Sequence, residues 1–384
     1  MKIGIPKEVK AGETRVALVP AMVSTLSKLG HEVLVEKGAG QAAFHSDEAY
    51  SKAGALLVDN APALYEQADV IFKVQPPSEH PVAKRHEAEM LKEGAVLIGF
   101  LAPLQQAQTI KILQSKKVTA FAMEFVPRIS RAQSMDALSA MANIAGYKSV
   151  LMAANGLGKM FPLLMTAAGT IPPVNVLILG VGVAGLQAIA TAKRLGARVE
   201  AFDPRPAVKE QVQSLGAKFI EMELPEEDVE TEGGYAKEQS DAFLQKEREA
   251  IAGRLPQTDV VITTAQIFGK KAPVLITEEM VQLMAPGSII IDLAAEQGGN
   301  CALTEAGKTI EKHGISVIGA VNIPATVPVH ASQLYAKTVT NLFKHLFREE
   351  QLDFEDEITK KACITHQGKI VNEWVASVLE KGGK

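Results

Sequence analysis

The run VLILGVGVAGLQAIATAKRLGARVEAFDPR, residues 176–205, restricts the possible folds of this chain more than any other segment. Four apolar residues lead into Gly180-x-Gly182-x-x-Gly185, a helical pattern of roughly three turns stops at Gly196, and RVEAF reads as a second strand before Asp203. The glycines permit a tight turn, close approach of the backbone to a pyrophosphate and close helix–sheet contact, and the free N–H groups at the helix start attract negative charge. A merely packed βα turn could use the same three glycines. The acid 18 residues after Gly185 points further, because a carboxylate there can accept both hydroxyls of an adenosine ribose. It would also repel a 2′-phosphate, so NAD is expected over NADP, with Arg205 the nearby group that argues the other way. The cofactor-binding set in this segment is Gly180, Gly182, Val183, Gly185, Asp203, Pro204 and Arg205.

The same rhythm of short β-branched runs and helical patterns fills the remaining chain. KIGIP, HEVLVEKG, DVIFKVQPP and AVLIGFL precede the fingerprint; VVITTA, SIIIDLA and GISVIGA follow it; helices between them close on glycines such as Gly30 and Gly54. At 384 residues the chain exceeds the ~100–200 residues usual for one domain. The pattern predicts an α/β protein of two doubly wound Rossmann-like domains with parallel sheets, joined by helical connectors across a cleft. Residues 1–127 plus 350–384 form the first domain, 128–139 and 330–349 the connecting segments, and 140–329 the NAD(H)-binding domain.

Charge and composition exclude several classes of function. Forty basic against 44 acidic side chains leave a net charge of -4, with no basic footprint for nucleic acid or anionic lipid. Cys301 and Cys363 stand far apart without a CxxC pattern, which fits a reducing compartment. None of the eight histidines has a metal-site spacing, so no metal is expected. The N-terminal MKIGIPKEVKAGETRVALVP carries charges every few residues, unlike a signal peptide, and the longest apolar run is interrupted by Asn175, Gln187 and glycines. A cytoplasmic protein is the expectation.

Two polar segments have no place in that scaffold. RISRAQSMDALS, residues 128–139, packs arginines, serines, a glutamine and an aspartate between apolar runs at the seam of the two domains. Arg128 or Arg131 could hold a phosphate or carboxamide oxygen, Gln133 offers a donor and an acceptor to a nicotinamide amide, and Asp136 is an acceptor near Ser139. A capped, solvated helix start with Ser134 and Asp136 as capping groups accounts for the residues equally well. EEDVETEGGYAKEQSDAFLQKE, residues 226–247, is an acidic loop carrying Gly233, Gly234 and Tyr235: either a solvated surface loop or a lid.

Taken together, GIPKE, ETRVALVP, PRISRAQSMDALS, MTAAGTIPP, VLILGVGVAGLQAIATAKRLGA, GGYAKE, PVLITEEMV and IDLAAEQGGN resemble the NAD(H)-binding component of the proton-translocating nicotinamide nucleotide transhydrogenases, a family sharing its fold with alanine dehydrogenase. The resemblance implies that Arg128, Gln133, Asp136 and Ser139 lie beside the nicotinamide ring and orient it for hydride transfer. Ile129, Ser130, Ser134 and Met135 of the same block then count as cofactor-binding, and Gly234 and Tyr235 belong to a mobile loop that closes on the nucleotide. Gln266 in ITTAQIFGK is counted with the cofactor residues, and it departs from the apolar residue that the family carries near the adenine. The family further implies a homodimer, an NADP(H)-binding component and a membrane-spanning component as separate polypeptides, and attachment to the inner membrane through them. With one fingerprint, this chain binds NAD(H) while NADP(H) is held by the partner.

Alanine dehydrogenase is the competing resemblance. Its substrate pocket uses an arginine, a lysine, a histidine and an aspartate, of which Arg15 and Lys73 persist here. Ala102 stands where the histidine belongs, and Glu296 replaces the aspartate before Gly298 and Gly299. Imine chemistry needs a positioned acid–base group, so Arg15 and Lys73 are expected to be inherited structure.

Overall fold

The structure is a computed structural model that describes residues 1–222, 240–349 and 352–381. Its strands are, in chain order, β1 (Lys2–Ile5), β2 (Glu32–Glu36), β3 (Leu56–Val58), β4 (Val70–Phe72), β5 (Val96–Gly99) and β6 (Thr119–Ala122). There follow β7 (Leu164–Thr166), β8 (Gly169–Ile171), β9 (Asn175–Leu179), β10 (Arg198–Phe202), β11 (Lys218–Phe219) and β12 (Val260–Thr263). The last are β13 (Ile289–Asp292), β14 (Thr309–Lys312), β15 (Ile315–Gly319), β16 (Cys363–His366) and β17 (Lys369–Ile370). By its internal contacts the chain divides into one unit of Met1–Met141 with Pro324–Lys384 and another of Ala142–Ile323.

The first unit is built on an eight-stranded sheet of order β17-β16-β6-β5-β4-β1-β2-β3. From β3 to β6 every pairing is parallel, and strands such as β1 and β4 are buried almost throughout, as helices on both faces require. The second unit repeats the arrangement with β11-β10-β9-β12-β13-β15-β14, while β7 and β8 make a separate two-stranded hairpin. Val176 and Ile178 enter one core and Leu177 and Leu179 the opposite one, the alternation expected of a strand covered on both sides. In both sheets the strand order reverses at the first strand, between β1 and β4 and between β9 and β12. Ligands of such sheets bind outside the carboxyl ends of the strands at that reversal.

The doubly wound parallel sheets are as expected, and each carries antiparallel pairing at one edge. β14 runs antiparallel to β15, β16 to β6, and β17 to β16. Two tight turns accompany the hairpins: His313-Gly314 (φ 55° and 74°) and Gln367-Gly368 (φ 47° and 77°) each place both residues in the left-handed region. Two-residue loops of this kind fit the right-handed twist of a hairpin.

The segments 128–139 and 330–349 fall with the first unit, and helix Ala137–Gly156 continues beyond Met141 into the second. Helix Pro328–Leu346 packs on helix Pro20–Lys28, on β5 and on the turn Ser130–Met135, and its Phe343 ring meets Phe72 and His31. In the second unit, helix Ala137–Gly156 approaches the fingerprint so closely that a Cβ on Gly146 would lie 2.1 Å from the Ala184 carbonyl oxygen. Among the described residues, no helix is long and apolar enough to cross a membrane.

Candidate functional site

In the second unit the fingerprint occupies the reversal point. Gly180 leaves β9 with φ 90°, Gly182 is the N-cap of helix Val183–Arg194, and a Cβ on Gly185 would stand 2.0 Å from the Gly180 carbonyl oxygen. Across the crevice Thr264 donates its hydroxyl to that same carbonyl at 2.8 Å. The loop after β12 is locked by Asn300, whose side chain accepts from the Ala265 N–H at 3.0 Å and donates to the Ala265 and Pro273 carbonyls at 2.9 and 2.8 Å. Asp292 at the end of β13 holds Asn300 in turn, accepting its N–H at 2.7 Å and the Thr304 hydroxyl at 2.6 Å. Asp292 and Asn300 fall inside the IDLAAEQGGN motif, but the locking contacts of Thr264 and Asn300 cannot be read from the sequence, because they reach segments distant in the chain.

Asp203 follows β10, but its carboxylate is not simply open to a ribose. It accepts from the Val181 N–H at 2.7 Å and is bridged by the Arg205 guanidinium through two bonds of 2.9 Å. Arg205, the residue that argued for NADP, is therefore committed to Asp203. Pro204 and Val183 flank these groups in the chain. Gln266 is exposed, donates to the Leu293 carbonyl at 2.9 Å and accepts from Gln297 at 3.5 Å. The expected lid residues Gly234 and Tyr235 lie outside the described residues.

Glu247, on helix Asp241–Ala252, is 3% exposed and has no signal in the sequence either, because a glutamate in a polar helix looks like a surface group. Burial, reinforced by the Asp203 charge, raises its pKa to about 8. Burial likewise raises Glu124 to about 7. The folded chain thus keeps protons that the unfolded chain, with ordinary glutamates near 4.5, has released. Relative to the unfolded chain, these two groups cost no stability below pH about 4.5 and cost progressively more as pH rises toward 7 and 8. The urea midpoint is expected to fall across that interval and to fall less in Glu247→Gln; an unchanged slope in the variant would refute the assignment.

The first unit's reversal point carries charge instead of glycines. Lys73, 0% exposed after β4, donates to Glu87 at 2.7 Å and Glu8 at 3.1 Å, and Tyr65 donates to Glu87 at 3.0 Å. Burial works against the ammonium, but the two carboxylates hold its pKa up to about 12. Arg15 is bidentate to Glu13 at 2.8 and 2.7 Å, and Gln75 donates to Glu13 at 2.6 Å. Although burial opposes it, this pairing keeps the Glu13 carboxyl at about 2. Ala102 sits in a left-handed turn (φ 45°) with its N–H on Glu124 at 2.6 Å, and Glu296 accepts from the Asn322 N–H at 3.3 Å.

The polar block lies in the first unit and forms one cavity of about 330 Å³, lined by Pro127, Arg128, Ile129, Gln133, Asp136 and Ser139. A 3₁₀ turn, Ser130–Met135, sends Gln133 outward and buries Ala132 and Met135. Asp136 accepts from the Ser139 N–H at 2.8 Å and hydroxyl at 2.6 Å, capping helix Ala137–Gly156. The capping reading is thus true of Asp136, and compatible with its position on the cavity wall. The Gln133 amide bonds to no other described residue. Ser130 and Ser134 stand outside the cavity lining, and Arg131 turns away to Asp356. No group of three metal-ligating side chains occurs among the described residues.

Two units with the same strand order at their centres, one of them carrying a glycine fingerprint at its reversal point, define a protein of the dinucleotide-fold class. Residues 4–145 match the family model "Alanine dehydrogenase/PNT, N-terminal domain" and residues 149–373 "Alanine dehydrogenase/PNT, C-terminal domain", and the chain belongs to that family. It is 51% identical over 377 residues to the first part of the NAD(P) transhydrogenase subunit alpha of Rhodospirillum rubrum, covering 97% of this chain and 98% of that one. Among solved structures, a transhydrogenase from Sinorhizobium meliloti matches with TM-score 0.84 and 41% identity over 97% of this chain and 100% of that one. An L-alanine dehydrogenase matches with TM-score 0.82 and 26% identity over 99% of each chain.

Proposed function

We propose that this chain is the NAD(H)-binding component of a proton-translocating transhydrogenase, exchanging a hydride between NADH and NADP⁺ held by a partner. The observation that carries this reading is the single cavity joining Arg128, Gln133, Asp136 and Ser139. The nicotinamide ring, when bound, supplies the hydride; the protein's work is to orient it. The outward Gln133 amide matches a carboxamide, donor to acceptor and acceptor to donor. The Asp136 carboxylate, fixed by Ser139, and the Arg128 guanidinium frame the same wall. The fingerprint, with Val183, Asp203, Pro204 and Arg205, takes the adenosine and pyrophosphate end. Asp203 repels a 2′-phosphate, supporting NAD over NADP.

The charge cluster around Arg15 and Lys73 argues against alanine oxidation. Both cations are already paired with buried carboxylates, and Ala102 supplies no acid or base. The name of the Rhodospirillum rubrum relative, which makes it one piece of an alpha subunit, supports separate partner polypeptides: an NADP(H)-binding component and a membrane-spanning component. A homodimer and a cytoplasmic location at the inner membrane through those partners complete the reading.

The test mixes the purified chain with NADH and an NADP⁺ analogue. Negligible hydride transfer is expected from the chain alone, fast transfer once the NADP(H)-binding component is added, and no alanine oxidation in either case. Reacting atoms must come within ~3–3.5 Å, which a chain with one glycine fingerprint cannot arrange for two dinucleotides. Robust NAD-dependent alanine oxidation by the chain alone would restore the dehydrogenase alternative.

A further inference from the structure

The turn that presents Gln133 is intrinsically weak. It is a 3₁₀ segment of six residues, Ser130–Met135, and runs longer than three or four residues are uncommon because the hydrogen-bond geometry is poor. Its shape depends on what holds it from outside. Asn341, on helix Pro328–Leu346, donates to the Ser134 carbonyl at 3.0 Å. His345, one turn further along the same face, bonds through Nε2 to Asp356 Oδ1 at 2.9 Å, and Arg131 donates through Nη1 to Asp356 Oδ2. Asp356 also accepts the N–H groups of Ile358 at 2.9 Å and Thr359 at 3.2 Å, which fixes it as the N-cap of helix Glu357–Ala362.

We infer that Asp356 is a positioning residue for the polar cavity: through Arg131 it clamps one end of the 130–135 turn, as Asn341 clamps the other, and Gln133 is held between them. All these residues belong to one unit. Asp356 is nearly buried, and although burial opposes it, Arg131 and His345 keep its carboxyl well below the usual range. An acceptor-only anion beside His345 also fixes the imidazole tautomer, with Nε2–H donating. Arg131 and Arg128 look alike in sequence, and only the fold separates an anchor from a cavity residue.

The consequence for hydride transfer rests on the function proposed above; the anchoring itself does not. Asp356→Asn keeps the helix cap and removes the ionic partner of Arg131, while Arg131→Met changes a half-exposed side chain. Amide hydrogen exchange is measured in the full chain, and kcat and KM for NADH are measured with the NADP(H)-binding component present. Both variants and their combination are expected to exchange faster at residues 129–136 and at wild-type rates in β1 and β4. Each lowers kcat about 10-fold with KM within about 3-fold, and the double variant is no slower than the worse single one. Unchanged exchange at 129–136, or losses that multiply in the double variant, overturns the inference. If the wild-type protein transfers no hydride, the proposed function fails and the exchange rates alone decide the anchoring.

Discussion

Gln133→Asn is expected to slow partner-dependent hydride transfer on the order of 100-fold while leaving NADH affinity within a few-fold of wild type. The substitution keeps the amide and withdraws it by one methylene. Rates in enzymes depend on reacting atoms being aligned, and a displacement of about 1 Å can cost that much without removing a comparable share of ground-state binding. The prediction depends on the Gln133 amide pointing into the cavity without another described residue to satisfy it. Stopped-flow transfer rates and NADH fluorescence titrations measure the two quantities separately. Equal losses in both would mean that Gln133 is a binding contact only.

Gly185→Val should abolish measurable NADH binding and destabilise the fold. The new Cβ would lie 2.0 Å from the Gly180 carbonyl oxygen, a backbone atom that cannot move without opening the turn. Overpacking of this kind costs about 1–3 kcal/mol, and more where backbone must shift. Gly182→Ala is the informative companion, because nothing lies within 4 Å of a Cβ there. That variant should unfold at nearly the wild-type urea concentration and yet bind NADH more weakly, since the methyl group would enter the open space that the proposed function assigns to the pyrophosphate. Normal NADH binding by Gly185→Val would remove the fingerprint from the cofactor site.

The parts of this fold that can be read in the sequence are those made by neighbours in the chain. The fingerprint, its helix and Asp203 lie within thirty consecutive residues, each with a local conformational reason to be there. The antiparallel edges are within reach too, because His313-Gly314 and Gln367-Gly368 are two-residue turn signals, but the dominant βαβ rhythm conceals them. The roles of Glu247, Asn300 and Asp356 are out of reach. Asn300 and Asp356 are engaged by residues distant in the chain, Glu247 is simply buried, and a lone acid or amide in a sequence carries no mark of burial. Asp203 is an intermediate case: its position is readable, its engagement by Arg205 and Val181 is not.

The ion cluster at the first unit's reversal point limits how this sequence can change. Glu8, Lys73 and Glu87 are mutually satisfied and almost wholly buried, as are Glu13 and Arg15. Neutralising Lys73, or either member of the Glu13–Arg15 pair, leaves an uncompensated charge in the interior, which typically costs about 3–5 kcal/mol, a large fraction of the roughly 5–15 kcal/mol that keeps a domain folded. Replacing several members together with well-packed apolar groups can be neutral. Single substitutions at Lys73, Glu13 or Arg15 are therefore screened out while concerted ones are tolerated, so the chemistry of that crevice can change only by several substitutions at once, across a valley of unstable intermediates.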